Sequence, residues 1–295
     1  MGENTVDLLA TCWTSAGDVA PLDRDERSPF GVEQRVAGVA ETGWWGIGLA
    51  QDDLFEVEST IGFRALKDVL GQAGLRGVEV ELLTDWWETG ERRKRSDRVR
   101  RLLFEAAAVL EARPIKIGTA FSRPLADVSP LVRPLRELAD HAADHGVRVA
   151  LEPMPFSMVG SVPLAARLVE QVGRENCGIL VDSWHVFRAG TSLAELRACL
   201  DIATLFGVEI DDAAQPVVGT LFEDTVNERL LPGEGSFDLI GLIQLLTELG
   251  YAGPWGVEII SRRHRKLPLR QALVSAHDAA LTVIQAARRL VDEPS

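Results

Sequence analysis

Four acidic residues sit at or near the ends of short apolar runs: Glu152 in VRVALEPMP, Asp182 in CGILVDSWH, Glu209 in TLFGVEIDD and Glu258 in WGVEIIS. An unpaired buried carboxylate is expensive, so each should be paired, protonated or bound to a cation. Taken singly, such an acid reads as a helix cap or a loop ion pair, and His185, three residues past Asp182, as an ordinary hydrogen-bonded side chain. Taken together on one rim, the four acids would repel one another. The nearest cations in the sequence, Arg148 and Arg188, lie off the motifs. A bound divalent metal is then the simplest partner, with Glu152 among its ligands. Oxygen-rich ligation favours Mn²⁺ or Mg²⁺, and a histidine ligand would shift the balance toward Mn²⁺, Co²⁺ or Zn²⁺. Strand alternation places Glu209 and Asp211 on one face and Asp212 on the other.

For these acids to meet, the runs must be strands of one sheet. Eight strand-like runs start at Val6, Gly43, Gly77, Pro114, Val147, Cys177, Thr204 and Trp255. Between them lie stretches with apolar residues at three- and four-residue spacing, such as FRALKDVLGQAGL and LVRPLRELADHAADHG, and several stop at glycine (Gly74, Gly146, Gly250). Eight alternations predict an α/β fold, a (β/α)8 TIM barrel, in which the C-terminal ends of the strands carry the chemistry. A doubly wound open sheet is the alternative, weakened by the lack of G-x-G-x-x-G after the first run. No linker or composition break appears, so residues 1–295 are expected to form a single TIM-barrel domain. The longest irregular piece, AAQPVVGTLFEDTVNERLLPGEGS, follows the seventh run and is expected to serve function.

Composition limits the partners. A net charge of −13 argues against nucleic acid, and the basic run ERRKRSDRVRR reads as the solvated face of a helix start. No apolar run approaches a membrane span. MGENTV lacks a signal-peptide pattern and has Val6 where a myristoylation site would want Ser or Thr. Three dispersed cysteines, Cys12, Cys177 and Cys199, suit reduced thiols in a cytoplasmic protein. A homo-oligomer is left open.

The ordered set LEPMP, LVDSWH, VEIDDA, LPGEG and VEIIS resembles the sugar phosphate isomerase/epimerase group of the xylose-isomerase-like TIM barrel superfamily, over nearly the whole chain. That group includes ketose 3-epimerases, hydroxypyruvate isomerases, inosose dehydratases, 3-dehydroshikimate dehydratases and base-excision endonucleases. The resemblance implies metal ligation by Glu152, Asp182 and Glu258 and by the residue at the Glu209 position, where many relatives carry His or Gln. It implies substrate contact for His185, a pocket-closing loop around Arg229 and Glu234, and proton transfer by Glu152 and Glu258. For LPGEG, a plain turn is an equal expectation.

A metal held by carboxylates can polarise a hydroxy-ketone and favour an enediolate. Epimerisation, isomerisation and dehydration all branch from that intermediate. The expected enzyme is a metal-dependent isomerase/epimerase of a keto-sugar or keto-polyol. A lyase acting on inosose or 3-dehydroshikimate is the alternative, and a non-catalytic metal- or sugar-binding barrel a more distant one. The endonuclease branch needs a histidine-rich zinc site and a basic face, against five histidines and net charge −13. Trp13, Trp44, Trp45, Trp86, Trp87 and Trp184 fall at expected strand ends, with Trp13 facing a sugar or cyclitol and at least half of the six in the core. Lys116 in PIKIGTA is a cation that a substrate could meet. Without a glycine-rich phosphate loop, an unphosphorylated substrate is favoured.

Overall fold

A computed structural model describes residues 6–112 and 114–292; the leader and lipidation readings of MGENTV fall largely on residues 1–5, outside the described residues. Eight parallel strands close into a barrel in sequence order, β1 (Leu8–Ala10), β2 (Gly46–Ala50), β3 (Gly77–Leu83), β4 (Ile115–Ile117), β5 (Val149–Leu151), β6 (Cys177–Asp182), β7 (Leu205–Ile210) and β8 (Trp255–Val257), with β8 pairing back onto β1. Each expected run contains one of them. Their outward-facing residues, such as Val149, Val181, Val208 and Val257, form one apolar layer with helix residues such as Leu103, Leu135, Leu168 and Leu242. That layer supplies the hydrophobic stabilisation, at about 0.8 kcal/mol per buried CH₂.

The inward-facing residues are different. Gly48, Gly207 and Gly256 leave room inside the barrel, and long charged side chains fill it. Gly256 shows why: a Cβ there would stand 2.7 Å from Glu209 Cγ on the neighbouring strand. At the helix ends, Gly74, Gly146 and Gly250 all adopt positive φ (78°, 67° and 95°), as left-handed terminators do.

Three expectations change. The first run stops early: Cys12–Ser15 is a helical turn, held where Thr14 Oγ1 donates to Val257 O (2.7 Å) and accepts from Ile259 N (2.8 Å). Trp44 and Trp45 precede β2 and so lie at the opposite end of the barrel from the acids, Trp44 packed edge-on against His277. The long piece after β7 holds a helix, Leu221–Asn227, started by a capping box between Thr220 and Glu223. The basic run belongs to the helix Gly90–Leu110, where Arg93, Lys94 and Arg100 pair with Asp97, Glu91 and Asp97. Among the described residues no helix is long and apolar enough to cross a membrane.

Candidate active site

Glu152 and Glu258 stand one residue beyond β5 and β8, and their backbone N–H groups still donate across the sheet to Ile117 O (3.0 Å) and Ile210 O (3.3 Å). Asp182 ends β6 and faces Glu209 of β7 in register. Four consecutive strands thus present four acids to one end of the barrel. Ligand oxygens of Glu152, Asp182, Glu209 and Glu258 lie within 4.8 Å of one another, and all four residues are buried. Oxygens of Glu152 and Asp182 also lie within 4.8 Å of a His185 nitrogen.

Asp182 is both a helix cap and part of the cluster. Its Oδ1 accepts from His185 N (2.9 Å) at the start of the short helix Ser183–Arg188, and its Oδ2 accepts from Arg229 Nη1 (2.8 Å). The cap therefore fixes His185 relative to the acids. The His185 ring packs edge-on to Trp184 and Phe156, with Nε2 3.5 Å from Glu152 Oε1.

The barrel supplies two cations that neighbouring sequence does not reveal. Lys116 of β4 extends its ammonium to Glu81 (2.5 Å), Glu209 (2.7 Å) and Glu258 (3.0 Å). Arg229 donates to Asp182 and Asp211 and lies 3.1 Å from Glu258, while Thr225 Oγ1 accepts from its Nε and Nη2. Among the described residues, seven buried carboxylates (Glu79, Glu81, Glu152, Asp182, Glu209, Asp211 and Glu258) still face only these two buried Lys and Arg cations in the cluster. The formal excess is five negative charges. Protons or a metal must offset it.

The carboxyls respond unequally. Burial pushes Glu258 up to about 8 against the pull of Lys116 and Arg229. Burial likewise pushes Glu79 to about 7. Glu209 and Asp211 are also raised, by burial first and then by neighbouring acids. For Glu152 burial acts upward too, but Lys116, His185 and Arg229 outweigh it and hold the group at about 2. Burial opposes the Lys116 charge, yet Glu209, Glu258 and Glu81 keep it protonated.

The donor set suits a divalent ion. Glu152 Oε1 and Glu209 Oε2 are buried without a directed hydrogen bond, the kind of orphan a cation would satisfy, while Glu209 Oε1 already meets the Lys116 ammonium. Above the acids opens a cavity of about 440 Å³, with Trp13, Met154, Phe121, Phe156 and Phe222 on its walls and Glu152, His185, Arg229 and Glu258 toward its floor. A larger cavity, about 900 Å³, opens at the other end of the barrel between Trp45, Phe206 and Tyr251. Glu79 is its one buried acid among the described residues, so it lacks a ligating cluster.

Lys116, expected at the substrate, instead lies beneath the acids and is not part of the upper cavity's lining. Glu234 is exposed and off that lining too; its turn is bolted down by Asp212, which accepts from Gly233 N and Phe237 N (both 3.1 Å). LPGEG forms a turn away from that lining, while Arg229 reaches the centre. Of the six tryptophans, Trp13 alone lines the upper cavity among the described residues; Trp86 and Trp184 are core, donating to Gly118 O and Asp224 Oδ2. Sequence reasoning passed over Glu79, Glu81 and Thr225, and placed Asp211 on the face of Glu209 without giving it a role. The alternation E-x-E in GVEVELL was the available signal for the first two.

A family model described as the xylose isomerase-like TIM barrel matches residues 36–281. Inosose isomerase of Halalkalibacterium halodurans is 32% identical over 155 residues, 52% of this chain and 54% of that protein. A 3-dehydroshikimate dehydratase of Pseudomonas aeruginosa is 24% identical over 250 residues, 81% of this chain and 38% of that protein. The chain thus spans about half the length, or less, of these curated relatives. Among solved structures, the IolI protein with a bound zinc atom superposes with a TM-score of 0.81 at 21% identity, covering 96% of this chain and 99% of its own. L-ribulose 3-epimerase superposes at 0.74 with 15% identity, covering 98% and 97%. These two likenesses concern the fold.

Proposed function

Because the chain belongs to the xylose isomerase-like TIM barrel family, we propose that it is a divalent-metal-dependent isomerase or epimerase of an uncharged hydroxy-ketone, a keto-sugar or an inosose-like cyclitol. The observation that carries this reading is the convergence of four buried carboxylates, within 4.8 Å, on the floor of the upper cavity. Glu152, Asp182 and Glu258 would hold the ion, Mn²⁺ or Mg²⁺ by their oxygen chemistry, with Glu209 beside them. When bound, the ion supplies Lewis acidity toward the substrate's carbonyl and adjacent hydroxyl, which acidifies the intervening C–H.

The protein's own groups do the rest. Glu152 and Glu258 come from strands three apart and can reach a substrate from different sides. Their environments push them apart, one to about 2 and the other to about 8. Without the ion only Glu152 is then a carboxylate at neutral pH; with the ion bound, the two are the pair placed to take the proton on one side and return one on the other. His185, clamped by the Asp182 cap, sits where it can donate to a substrate oxygen, and Arg229 lines the same floor with its donors held by Asp182, Asp211, Glu258 and Thr225. The aromatic walls exclude water and suit the C–H face of a ring.

Charge selects the substrate. The cavity lining carries Glu26, Glu81, Asp85, Glu152 and Glu258 against Arg92 and Arg229. Arg92 is engaged by Asp85 and Glu88, and Arg229 by Asp182, Asp211 and Glu258. No cation is spare among them for a phosphate or a ring carboxylate, which favours inososes and free ketoses over sugar phosphates and dehydroshikimate. Dehydration of an uncharged cyclitol is the second reading. It is favoured by the likeness to a 3-dehydroshikimate dehydratase, which extends over 81% of this chain. The dispersed free cysteines suit a reducing, cytoplasmic setting.

A panel of inososes, free ketoses, ketose phosphates and dehydroshikimate, incubated with enzyme and Mn²⁺, tests this. Turnover should be confined to uncharged members, without growth of an ultraviolet enone band. Turnover only of phosphates or carboxylates would defeat the charge argument, and an enone product would select the dehydratase.

A further inference from the structure

We propose that Lys116 is a positioning residue that tethers Glu209 from inside the barrel and keeps it off the metal, leaving a three-carboxylate centre of Glu152, Asp182 and Glu258. The inference rests on the proposed metal site. An ammonium has three protons, and Lys116 has three close carboxylate oxygens, on Glu81 (2.5 Å), Glu209 (2.7 Å) and Glu258 (3.0 Å). It is 1% exposed, so bulk solvent does not solvate its charge in place of a lost partner. Withdrawing Glu209 toward an ion would leave part of a buried charge unpaired.

Glu209 is also held by its stem. It is 0% exposed, lies opposite Asp182 in register, and packs its Cγ over Gly256 of β8. Glu152 differs. Its Oε1 lacks a directed hydrogen bond, and no lysine or arginine approaches it within ion-pair distance among the described residues. Of the two rim acids with orphaned oxygens, one is therefore anchored from below and the other is free to ligate. Glu258 is shared: one oxygen faces Lys116 and the other Arg229, so Lys116 also draws charge from the centre. Removing its ammonium should strengthen metal binding.

The test is a double-mutant cycle with Mn²⁺ affinity by calorimetry and the visible spectrum of bound Co²⁺ as readouts. Glu209→Gln should change Mn²⁺ affinity by less than about threefold and leave the Co²⁺ spectrum unaltered, whereas Glu152→Gln should lose on the order of a hundredfold. Lys116→Met should raise affinity about tenfold or more and change the Co²⁺ spectrum as Glu209 joins the ion. The Lys116→Met/Glu209→Gln double variant should return to the wild-type spectrum. A purely structural lysine would lower affinity and give no such reversal. Glu209→Gln keeps the proposal falsifiable should Lys116→Met not fold: a spectrum change together with a Glu152→Gln-sized loss of affinity would overturn it. A wild-type protein that binds neither metal would overturn the metal reading itself, whereas metal binding with an additive cycle would defeat only the tether.

Discussion

Raising the pH in the presence of a chelator should destabilise this protein, and added Mn²⁺ should reverse the effect. Glu258 at about 8 and Glu79 at about 7 hold protons in the folded state that an unfolded carboxyl releases near 4.5. Between pH 4.5 and those values the folded chain binds more protons than the unfolded chain, so stability falls as pH rises. One group costs about 1.4 kcal/mol per pH unit. From pH 6 to pH 8 Glu258 contributes a loss of roughly 2–3 kcal/mol and Glu79, half deprotonated at pH 7, roughly 1 more. At roughly 2–4 °C per kcal/mol for a chain of this size, Tm should drop by roughly 6–16 °C. Glu152, held at about 2, contributes stability that is present above 4.5 and fades only as pH falls through its folded value, so it is silent in this window. Metal competes with the protons, and its stabilisation grows as they leave. Scanning calorimetry at pH 6, 7 and 8, in EDTA and in excess Mn²⁺, reads both effects. A Tm in EDTA that is flat or rises over this range would refute the reasoning.

Glu258→Gln keeps the shape of the side chain but removes its proton-carrying oxygen, and should lower kcat on the order of 10²–10⁴ at saturating Mn²⁺. Glu152→Gln should do the same, with metal affinity measured alongside by calorimetry. His185→Ala should retain most Mn²⁺ binding and lose turnover; loss of the metal instead would make His185 a ligand with Glu152 and Asp182. Gly256→Ala sets a methyl 2.7 Å from Glu209 Cγ and should cost about 1–3 kcal/mol by denaturant unfolding, with unchanged stability contradicting the packing described.

The barrel was legible because most strands are apolar runs, and the rest alternate apolar and charged residues, each bounded by glycine or a helical period, a local pattern. The acid rim was legible for the same reason: an acid at the end of such a run marks the C-terminal edge. What holds the acids was not. Lys116 meets Glu258 across 142 residues and Arg229 meets Asp182 across 47, and sequence spacing carries no trace of either pair. The expectation that metal alone balances the rim therefore understated the protein's own cations. Trp44 and Trp45 were misplaced because an apolar run does not mark which of its residues begins the strand. The helix Leu221–Asn227 went unread within a stretch rich in turn residues, although Thr220 and Glu223 carry its start signal.

The central claim, proton transfer at the carbon beside a carbonyl in a metal centre, is tested most directly by proton NMR of a turned-over substrate in D₂O. Wild type with Mn²⁺ should place solvent deuterium at that carbon, in product and in recovered substrate, and EDTA should abolish the exchange. Full turnover without deuterium would point to a hydride shift or shielded transfer and contradict the two-glutamate mechanism.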